Sequence, residues 1–520
     1  MTEKKGKSLG CMLLGLLLTV GLFWSVPQTV NAEKSQENEE IVFASHRDQV
    51  RDKEDAVFIS QNMRVWEPLI TMSEDGAPSP ALAVEWNKNE DATEWTFVLR
   101  EGVKFHDGTD FNADVVIANF DRWKKGPFSS EFNGINMENT FPGLKEVKKI
   151  DENTISLIFE ESVPTLDYNM MDYGSPIFQP ECFADDGTFA KDAIGTGPYK
   201  LVEYKKDEYC LVERFDDYWG EKAKTKYIRC RTIPDANTKI SALKSEEIMA
   251  VMDIGAIQPN LAKELVKDER FQVTSSVTSK THHIQINMNK EPFNDVRLRK
   301  AMSIIVDRET IVEQLYNGYG KASSNWLTST CPFYKEEPVE YNPEEAKKLA
   351  KEVLGDERVQ AVFLMRTKDL DRYPFKAEAE YLQAVFSEIG IDLDIQILEE
   401  NAVYDLWEKG EYDLGLAMQS FPNSEPYARF QGIFASDGAT NIQYNRGYKN
   451  EKMDSLLQEV KNEMDMDTRK ELYGQMQDIL VEDVPVVSLY QEEALAAYNT
   501  KIQGYELKPN GFNLAEVEWV

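Results

Sequence analysis

Histidines, which often carry enzyme chemistry, are few and scattered in this chain of 520 residues. Its histidines are His46, His106, His282 and His283, and no H-E-x-x-H spacing places two of them on one helix face for zinc. The adjacent pair His282 and His283 lies in a strand pattern. We therefore expect the two rings on opposite faces, one packed inward and one in solvent, without a shared metal ion. No G-x-S-x-G nucleophile motif occurs. The chain is predicted to have no catalytic constellation, metal site or cofactor.

A glycine-rich segment at residues 194–199 resembles a phosphate-binding loop in composition, with the sequence I-G-T-G-P-Y. Its spacing is not G-x-G-x-x-G and no G-K-[ST] follows. Pro198 also lacks the backbone N–H that a phosphate would need. We interpret the segment as a tight backbone crossing between lobes and predict no nucleotide site.

The cysteines show no C-x-x-C spacing of a zinc or redox motif. The sequence leaves open whether Cys210 and Cys230 form a bridge or remain buried thiols. Aromatic residues at predicted element ends and in loops are stronger candidates for ligand contact, because binding residues concentrate there. Each is also a candidate for the core, since large aromatics are usually buried. They are Trp66, Tyr173, Trp326, Tyr404, Trp407, Phe421, Tyr427 and Phe430.

The elements that would position these residues alternate between strand and helix patterns, which predicts an α/β protein. Residues 95–100 alternate with period two, and a helix follows Asn112, a suitable N-cap, with Val116, Phe120 and Trp123 on one face. Further strands are predicted at residues 154–159, 200–204, 283–289, 361–365, 391–398, 411–416 and 484–490. Further helices are predicted at residues 296–316, 374–389 and 451–481, and after an N-cap at Asn342.

Composition limits the class of partner. With 58 Lys+Arg against 91 Asp+Glu, the formal net charge is -33, which repels nucleic acid phosphates and excludes nucleic acid as a ligand. The chain is too long for one core, since single cores stop growing near roughly 250–300 residues. Two or three lobes are therefore expected.

The N-terminus has the pattern of an export signal. Three lysines at positions 4, 5 and 7 precede an apolar run at residues 12–26, and Val30-Asn31-Ala32 follows as a cleavage site. The run is shorter than the about 20 residues of a spanning helix. We expect a signal peptide at residues 1–32 and a periplasmic or extracellular location. Cleavage of the leader and its retention as an anchor both stay open.

Taken in order, several segments resemble the extracellular solute-binding proteins of family 5, which serve peptide and nickel ABC transporters. The most specific is W-T-F-V-L-R-E-G-V-K-F-H-D-G-T at residues 95–109 with N-A-D-V at residues 112–115. Supporting matches are W-E-P-L at 66–69, G-T-G-P-Y at 195–199, Y-W-G at 218–220, V-R-L-R-K-A at 296–301, I-G-I at 389–391 and Y-D-L at 412–414.

The resemblance implies a two-lobed periplasmic-binding-protein fold of class II type, with an extra subdomain inserted in the N-terminal lobe and the ligand enclosed between the lobes. Strands near His282 and Leu489 are expected to cross between lobes. ABC permease and ATPase subunits are the implied partners of a monomeric, non-enzymatic protein. The implied division is signal peptide 1–32, lobe I at 33–85, inserted subdomain 86–190, lobe I at 191–281, lobe II at 282–488 and a return to lobe I at 489–520.

The ligand anchors of known relatives are not preserved. Peptide-binding relatives pair an Asp with the peptide ammonium, and Tyr427 stands at that position here, with Glu425 as a substitute acid. Nickel-binding relatives use a Trp, a His and an Arg, which correspond to Asn423, Asn441 and a run at residues 172–177 without arginine. Peptide and metal chelate therefore both stay open as ligands.

We predict that Tyr427, Trp326, Tyr404 and Glu425 line the cleft, with Tyr173 and Trp66 as further candidates, since small-molecule pockets combine aromatic walls with a few polar anchors. The predicted function is the substrate-binding component of an ABC importer for a peptide or a nickel or other metal chelate. Two alternatives remain. One is a ligand-sensing receptor of the same fold, and the other is a secreted hydrolase, which would need catalytic residues absent from the patterns above.

Overall fold

The computed structural model describes residues 39–50, 62–126, 135, 137–252, 257–370, 372–421, 425–509 and 511–520. The predicted signal peptide at residues 1–32 lies outside these ranges. Within them, no helix combines the length and apolar character needed to cross a membrane.

An eleven-stranded sheet of parallel and antiparallel pairs forms the centre of the structure. Its edge-to-edge order is Tyr199–Lys205, Tyr209–Arg214, Tyr227–Thr232, Glu40–Ser45, Ala250–Val251, Val486–Asn499, Phe271–Ile286, Leu414–Ser420, Val359–Arg366 and Ile391–Leu398. The short strand Lys321–Ala322 pairs with Val486–Asn499 beside this path. We call the five strands from Tyr199–Lys205 to Ala250–Val251 the first half, and the three from Leu414–Ser420 to Ile391–Leu398 the second half.

The two long strands between the halves, Phe271–Ile286 and Val486–Asn499, pair with each other along their length. The pairing is irregular between Val277 and Thr281. On one side of this irregularity, the strand Val486–Asn499 also pairs with Ala250–Val251 of the first half. On the other side, the strand Phe271–Ile286 also pairs with Leu414–Ser420 of the second half. The long strands therefore continue from one half into the other, and their partners change close in sequence to His282 and Leu489.

A separate antiparallel sheet lies in the N-terminal part of the chain. Its strand order is Ala83–Lys88, Glu94–Leu99, Thr154–Phe159 and Leu144–Asp151. The helix Ala113–Trp123 packs beside it and buries Val116, Phe120 and Trp123, and the Asn112 side chain accepts the Val115 N–H at 3.2 Å. The predicted strands, helix and N-cap of this region are confirmed.

In the second half, Val359–Arg366 and Ile391–Leu398 are parallel and are connected by the helix Phe375–Ser387. This confirms the predicted strand-helix-strand crossover onto one sheet. The helix Pro343–Leu354 begins after Asn342, whose side chain accepts the N–H of Glu345, as predicted.

Two predicted helices are wrong in length, because each is divided. An aspartate inside each apolar pattern is the N-cap of a new helix. The Asp307 side chain accepts the N–H of Thr310, and the Asp465 side chain accepts the N–H of Thr468. The predicted helix 296–316 is Val296–Ile304, Arg308–Thr310 and the π-helical turn Ile311–Leu315. The predicted helix 451–481 is Glu451–Asn462 and Met466–Asp483.

Shorter elements complete the described structure. The other helices are Met137–Thr140, Leu166–Asn169, Ala236–Lys244, Pro259–Leu265, Glu400–Lys409, Tyr427–Phe434 and Ala439–Gln443, with 3-10 turns at Asp172–Gly174, Pro180–Cys182, Thr367–Asp369 and Leu514–Glu516. The other strands are Glu67–Pro68, Ile70–Met72, Pro78–Pro80, Pro176–Ile177, Ile502–Gln503, Leu507–Lys508, Gly511–Phe512 and Glu518–Trp519.

Candidate functional site

The histidine pair lies on opposite faces of the long strand Phe271–Ile286, as predicted. The His282 ring stacks on Tyr490 with centroids 4.6 Å apart, and the His283 ring lies edge-on to Trp326 at 6.5 Å. The expectation that one ring meets solvent is wrong, because both faces of the sheet are covered here and both rings are buried. Burial lowers the pKa of each ring. In the described ranges, no three His, Cys, Asp or Glu side chains are grouped to hold a metal ion.

The glycine-rich segment at residues 194–199 is a close backbone contact. The N–H of Gly197 donates to the Val65 carbonyl at 3.0 Å. A Cβ on Gly195 would lie 2.2 Å from the Val65 oxygen, and one on Gly197 would lie 2.1 Å from the Arg64 oxygen. The segment is a tight backbone contact, as predicted, but it packs on residues 64–66, which the predicted division also assigns to lobe I, so a crossing between lobes stays a prediction. The space beside these glycines is filled by the chain itself.

Three of the motifs used to recognise the family resemblance meet at one buried carboxylate. Glu67 accepts hydrogen bonds from the Thr196 hydroxyl at 2.9 Å, from the Tyr218 hydroxyl at 2.7 Å and from the Trp219 indole N–H at 2.7 Å. Burial raises the pKa of Glu67, and these donors oppose that shift. The three motifs thus pack together around the Glu67 side chain.

The cysteine alternatives are also resolved by the structure. Cys210 and Cys230 lie directly opposite each other on paired strands, and burial raises the pKa of the Cys210 thiol to about 12. The four cysteines in the described ranges are buried and form no disulfide with one another.

Of the six predicted cleft residues, Trp326, Tyr427 and Glu425 form one group near the end of the strand Leu414–Ser420. The buried Trp326 ring packs edge-on against Phe421, Phe430 and Phe434, with centroids 4.9, 5.3 and 4.7 Å away. Two of those rings belong to the helix Tyr427–Phe434, which begins at the half-buried Tyr427. Trp326 therefore braces the helix that carries Tyr427.

Glu425, the third member of this group, is buried and paired. Its Oε1 lies 2.5 Å from Arg469 Nη2 and accepts the Tyr473 hydroxyl at 2.7 Å, while its Oε2 accepts the Tyr427 N–H at 2.7 Å. Arg469 supplies a full counter-charge, so this acid differs from the exposed carboxylate that an incoming ammonium group would require.

Trp66 and Tyr173 form a second group beside the glycine-rich segment. The buried Trp66 ring lies edge-on to Tyr173 at 6.1 Å and to Phe178 at 5.8 Å. Next to them, Asp172 has a φ of 45° and accepts the Thr71 hydroxyl at 2.9 Å. Burial raises the pKa of Asp172 to about 6.

Tyr404 belongs to a third group, in a separate small hydrophobic cluster on the helix Glu400–Lys409. Its ring lies 5.4 Å from Trp407 and stacks on Tyr444 at 5.9 Å. Its hydroxyl donates to Glu400 and accepts from Arg366, each at 3.1 Å. Of the two residues at the nickel-anchor positions, Asn441 bonds the Ala435 and Tyr448 backbone, and Asn423 lies outside the described ranges.

Sequence reasoning missed a buried charge cluster where the long strands change partners. Glu492 accepts the Tyr373 hydroxyl at 2.7 Å and the His282 Nε2–H at 3.1 Å, and it pairs with Lys280 at 3.2 Å and Arg372 at 3.5 Å. Burial works to raise the pKa of Glu492, but Lys280 and the other donors hold it well below its usual range. An acid inside an otherwise apolar strand pattern was the available signal.

A small cavity of about 20 Å³, with room for about one water molecule, adjoins this cluster. Its lining includes Leu495 and Ile257 from a core cluster of the first half and Tyr373, Tyr490 and Glu492. Side chains of two core clusters therefore meet around the long strands; one cluster includes Val251 of the first half, and the other includes Leu414 of the second half.

Comparison with known proteins gives consistent results. Residues 77–441 match the family described as bacterial extracellular solute-binding proteins, family 5 Middle. The dipeptide-binding protein of Escherichia coli strain K12 is 27% identical over 463 residues, covering 83% of this chain and 84% of that protein. Heme-binding protein A of Haemophilus influenzae is 28% identical over 459 residues, covering 84% and 82%.

A solved structure shows the fold. NikA from Brucella suis in complex with Fe(III)-EDTA aligns with a TM-score of 0.80 and 23% identity over 92% of this chain and 100% of that chain. The predicted two-lobed α/β binding-protein fold is confirmed by this likeness.

Proposed function

Because this chain belongs to the bacterial extracellular solute-binding proteins of family 5, we propose that it is the substrate-binding component of an ABC importer. It captures a small ligand between two lobes and delivers it to a membrane permease, and a partner ATPase subunit supplies the energy. The observation that carries this proposal is the family match over residues 77–441, which spans both the separate N-terminal sheet and the second half.

The strand arrangement supports capture by closure. Two long strands link the halves, and their pairing becomes irregular between Val277 and Thr281. Bending at such a point lets the two lobes close on a ligand, and contacts made only in the closed state shift the population toward it. The proposed lobe boundaries remain those at residues 33–85, 86–190, 191–281, 282–488 and 489–520.

The proposed ligand is a peptide or a metal chelate. The names of the relatives span a dipeptide, heme and a metal chelate, so the family accepts chemically different ligands. In this chain the Glu425 charge is already paired with Arg469. We therefore propose that Tyr427 forms a wall of the binding cleft, which we call the binding wall. Glu425 supports Tyr427 from its protein-facing side. Trp66 and Tyr173 are proposed contacts from the second group, and Trp326 and Tyr404 stay proposed contacts that the same assay tests.

Substitution of Tyr427 by alanine tests the wall directly. We expect the variant to bind at least about tenfold more weakly, a loss of about 1.4 kcal/mol, because an aromatic face leaves the site. The melting temperature should stay within about 3 °C of wild type, since the ring is half-buried. Isothermal titration with alanyl-alanine, glutathione, a nickel(II)–histidine complex and hemin measures affinity.

Tyr498→Ala is the matched control, because Tyr498 is also half-buried but lies on the first-half end of a long strand, bonded to Gln272. Equal binding losses in the two variants, or unfolding of Tyr427→Ala without a specific loss, would place Tyr427 in the core. Trp326→Ala and Tyr404→Ala in the same titrations decide whether those residues contact ligand.

Transport is favoured over enzymatic activity by the family match, and incubation with chromogenic esters, glycosides and peptides should give no turnover. Sustained turnover of any of them would overturn the proposal. We also propose that the leader directs export, which N-terminal sequencing of the secreted protein checks by finding a start after Ala32.

A further inference from the structure

A buried ion pair lies directly behind the proposed wall at Tyr427. The side chains of Arg469 and Glu425 are 2% and 5% exposed, and their charged atoms lie 2.5 Å apart. Removing two charges from water is costly, so such a pair often contributes little net stability compared with apolar residues of the same size. Its position therefore calls for an explanation other than stability alone.

Glu425 determines how the helix Tyr427–Phe434 begins. The first N–H groups of a helix have no partner within it, and Pro426 at the N-cap provides no side-chain acceptor. Glu425 Oε2 fills this role by accepting the Tyr427 N–H at 2.7 Å. A carboxylate at this end is also favoured by the helix dipole. The backbone at Tyr427 is thus held by the Glu425 side chain.

Arg469 joins this carboxylate to a second element. Its Nη1 donates to the carbonyls of Val460 and Glu463, at 2.5 and 3.0 Å, where the helix Glu451–Asn462 ends. Its Nη2 donates to Glu425. A planar guanidinium makes these bonds in different directions at once, which a lysine ammonium on its flexible chain reproduces less well. One side chain therefore connects the end of one helix to the start of another.

A contact from the N-terminal part of the chain reaches the same place. Tyr168, on the helix Leu166–Asn169, has its ring 5.8 Å from Phe333, and the Phe333 ring lies 4.9 Å from Tyr473. The Tyr473 hydroxyl donates to Glu425. Through Phe333 and Tyr473, Tyr168 is thus connected to the Glu425 carboxylate, which holds the Tyr427 backbone.

We infer that Arg469 is a positioning residue for ligand capture, which acts through Glu425 to hold the backbone at Tyr427 in its binding conformation. Tyr473 holds the same carboxylate from the side that Tyr168 and Phe333 cover. This inference rests on the proposed role of Tyr427 as a binding wall.

Hydrogen exchange of the Tyr427 amide tests the positioning role without a ligand. In Arg469→Met we expect exchange at Tyr427 to accelerate by about tenfold or more, because local opening of the helix start becomes easier. Arg469→Lys should lie between the methionine variant and wild type, since lysine keeps the charge but loses the fork of donors.

Arg308→Met is the matched control. Arg308 is 2% exposed and donates to the carbonyls of Ser488 and Ser303, at 2.7 and 2.9 Å, away from Glu425. It should lose global stability and leave Tyr427 exchange as in wild type. Equal acceleration in the Arg469 and Arg308 variants would overturn the inference. If Arg469→Met does not fold, Tyr473→Phe removes one donor to Glu425 and should accelerate the same amide; an unchanged rate there contradicts the inference.

Binding of alanyl-alanine, glutathione, the nickel(II)–histidine complex and hemin to the same variants separates the two proposals. A probe that binds wild type and Arg308→Met but binds Arg469→Met at least about tenfold more weakly supports the positioning role in capture. A wild-type protein that binds none of the four counts against the proposed function, and the exchange rates then still decide whether Arg469 positions Tyr427.

Discussion

At the scale of single residues, Gly195 shows how closely two segments of the chain approach. Its hypothetical Cβ would lie 2.2 Å from the Val65 oxygen and 2.7 Å from the Trp66 Cα. Both are backbone atoms, so rotation of a side chain cannot relieve the overlap. We expect Gly195→Ala to lower the free energy of unfolding by about 3 kcal/mol or more, measured by urea denaturation.

Gly474→Ala is the control for that substitution. Gly474 lies inside the helix Met466–Asp483, and the nearest atom to its added Cβ would be Lys335 Cδ at 3.8 Å. The control should gain up to about 1 kcal/mol from helix propensity. A wild-type unfolding midpoint for Gly195→Ala would mean that residues 194–199 have room for a bound group after all.

Glu378 predicts a specific pH dependence. It is fully buried, accepts the Tyr316 and Tyr490 hydroxyls at 3.1 Å each, and burial raises its pKa from 4.5 to about 7. Because the folded protein then binds the proton more tightly than the unfolded chain, stability falls as pH rises from about 4.5 to about 7. Glu378→Gln removes this loss, so its stability relative to wild type should improve by up to about 3 kcal/mol between pH 4.5 and pH 8.

Glu380→Gln is the control, since Glu380 lies on the same helix but is exposed. Its stability difference from wild type should stay nearly constant over that pH range. Urea denaturation at several pH values measures both variants. A flat difference for Glu378→Gln would show that its carboxyl is not protonated in the folded protein near neutral pH.

At the scale of elements, two neighbouring acids on the long strand Val486–Asn499 should behave in opposite ways. Glu492 is buried and forms an ion pair with Lys280. Burial raises the pKa of Glu493, whose carboxylate is bonded to Ser275. Glu492→Gln leaves a buried cation without its partner and should cost about 3 kcal/mol at pH 7.

Glu493→Gln is the comparison and should be neutral or slightly stabilising at pH 7, because it removes a charge that burial disfavours. Denaturation midpoints of the two variants check this. Similar losses in both would mean that the charge cluster at the change of strand partners has no special structural role.

Sequence patterns predicted the helices and strands whose formation depends mainly on neighbouring residues in the chain. The helix Ala113–Trp123 follows from its N-cap and apolar spacing, and the crossover around Phe375–Ser387 follows from strand length and short loops. The divisions at Asp307 and Asp465 were missed because an aspartate within an apolar period can face solvent or cap a new helix, and neighbouring packing decides which.

The candidate site was harder to predict because its contacts join distant parts of the chain. Glu425 was predicted as an acid of the cleft, yet its pairing with Arg469 depends on how two helices meet. The position of Glu492 beside Lys280 likewise depends on register between the long strands. Residue type and spacing nominate such groups, but tertiary packing determines whether a charge is available to a ligand.

At the scale of the whole molecule, the two halves of the large sheet are linked by the long strands Phe271–Ile286 and Val486–Asn499. A further contact joins Tyr168 in the N-terminal part of the chain to Phe333. A receptor that closes on its ligand needs a bending connection and a second contact that forms on closure. Glu425 and Glu492 are already paired with Arg469 and Lys280, so neither acid offers an unpaired charge to a ligand.

The most direct measurement is native mass spectrometry of the purified protein mixed with alanyl-alanine, glutathione, the nickel(II)–histidine complex or hemin. Capture between two lobes predicts one non-covalent ligand per chain for at least one of them, lost on denaturation and weakened in Tyr427→Ala. Bare protein in every mixture, or adducts equally abundant in wild type and Tyr427→Ala, would contradict the account.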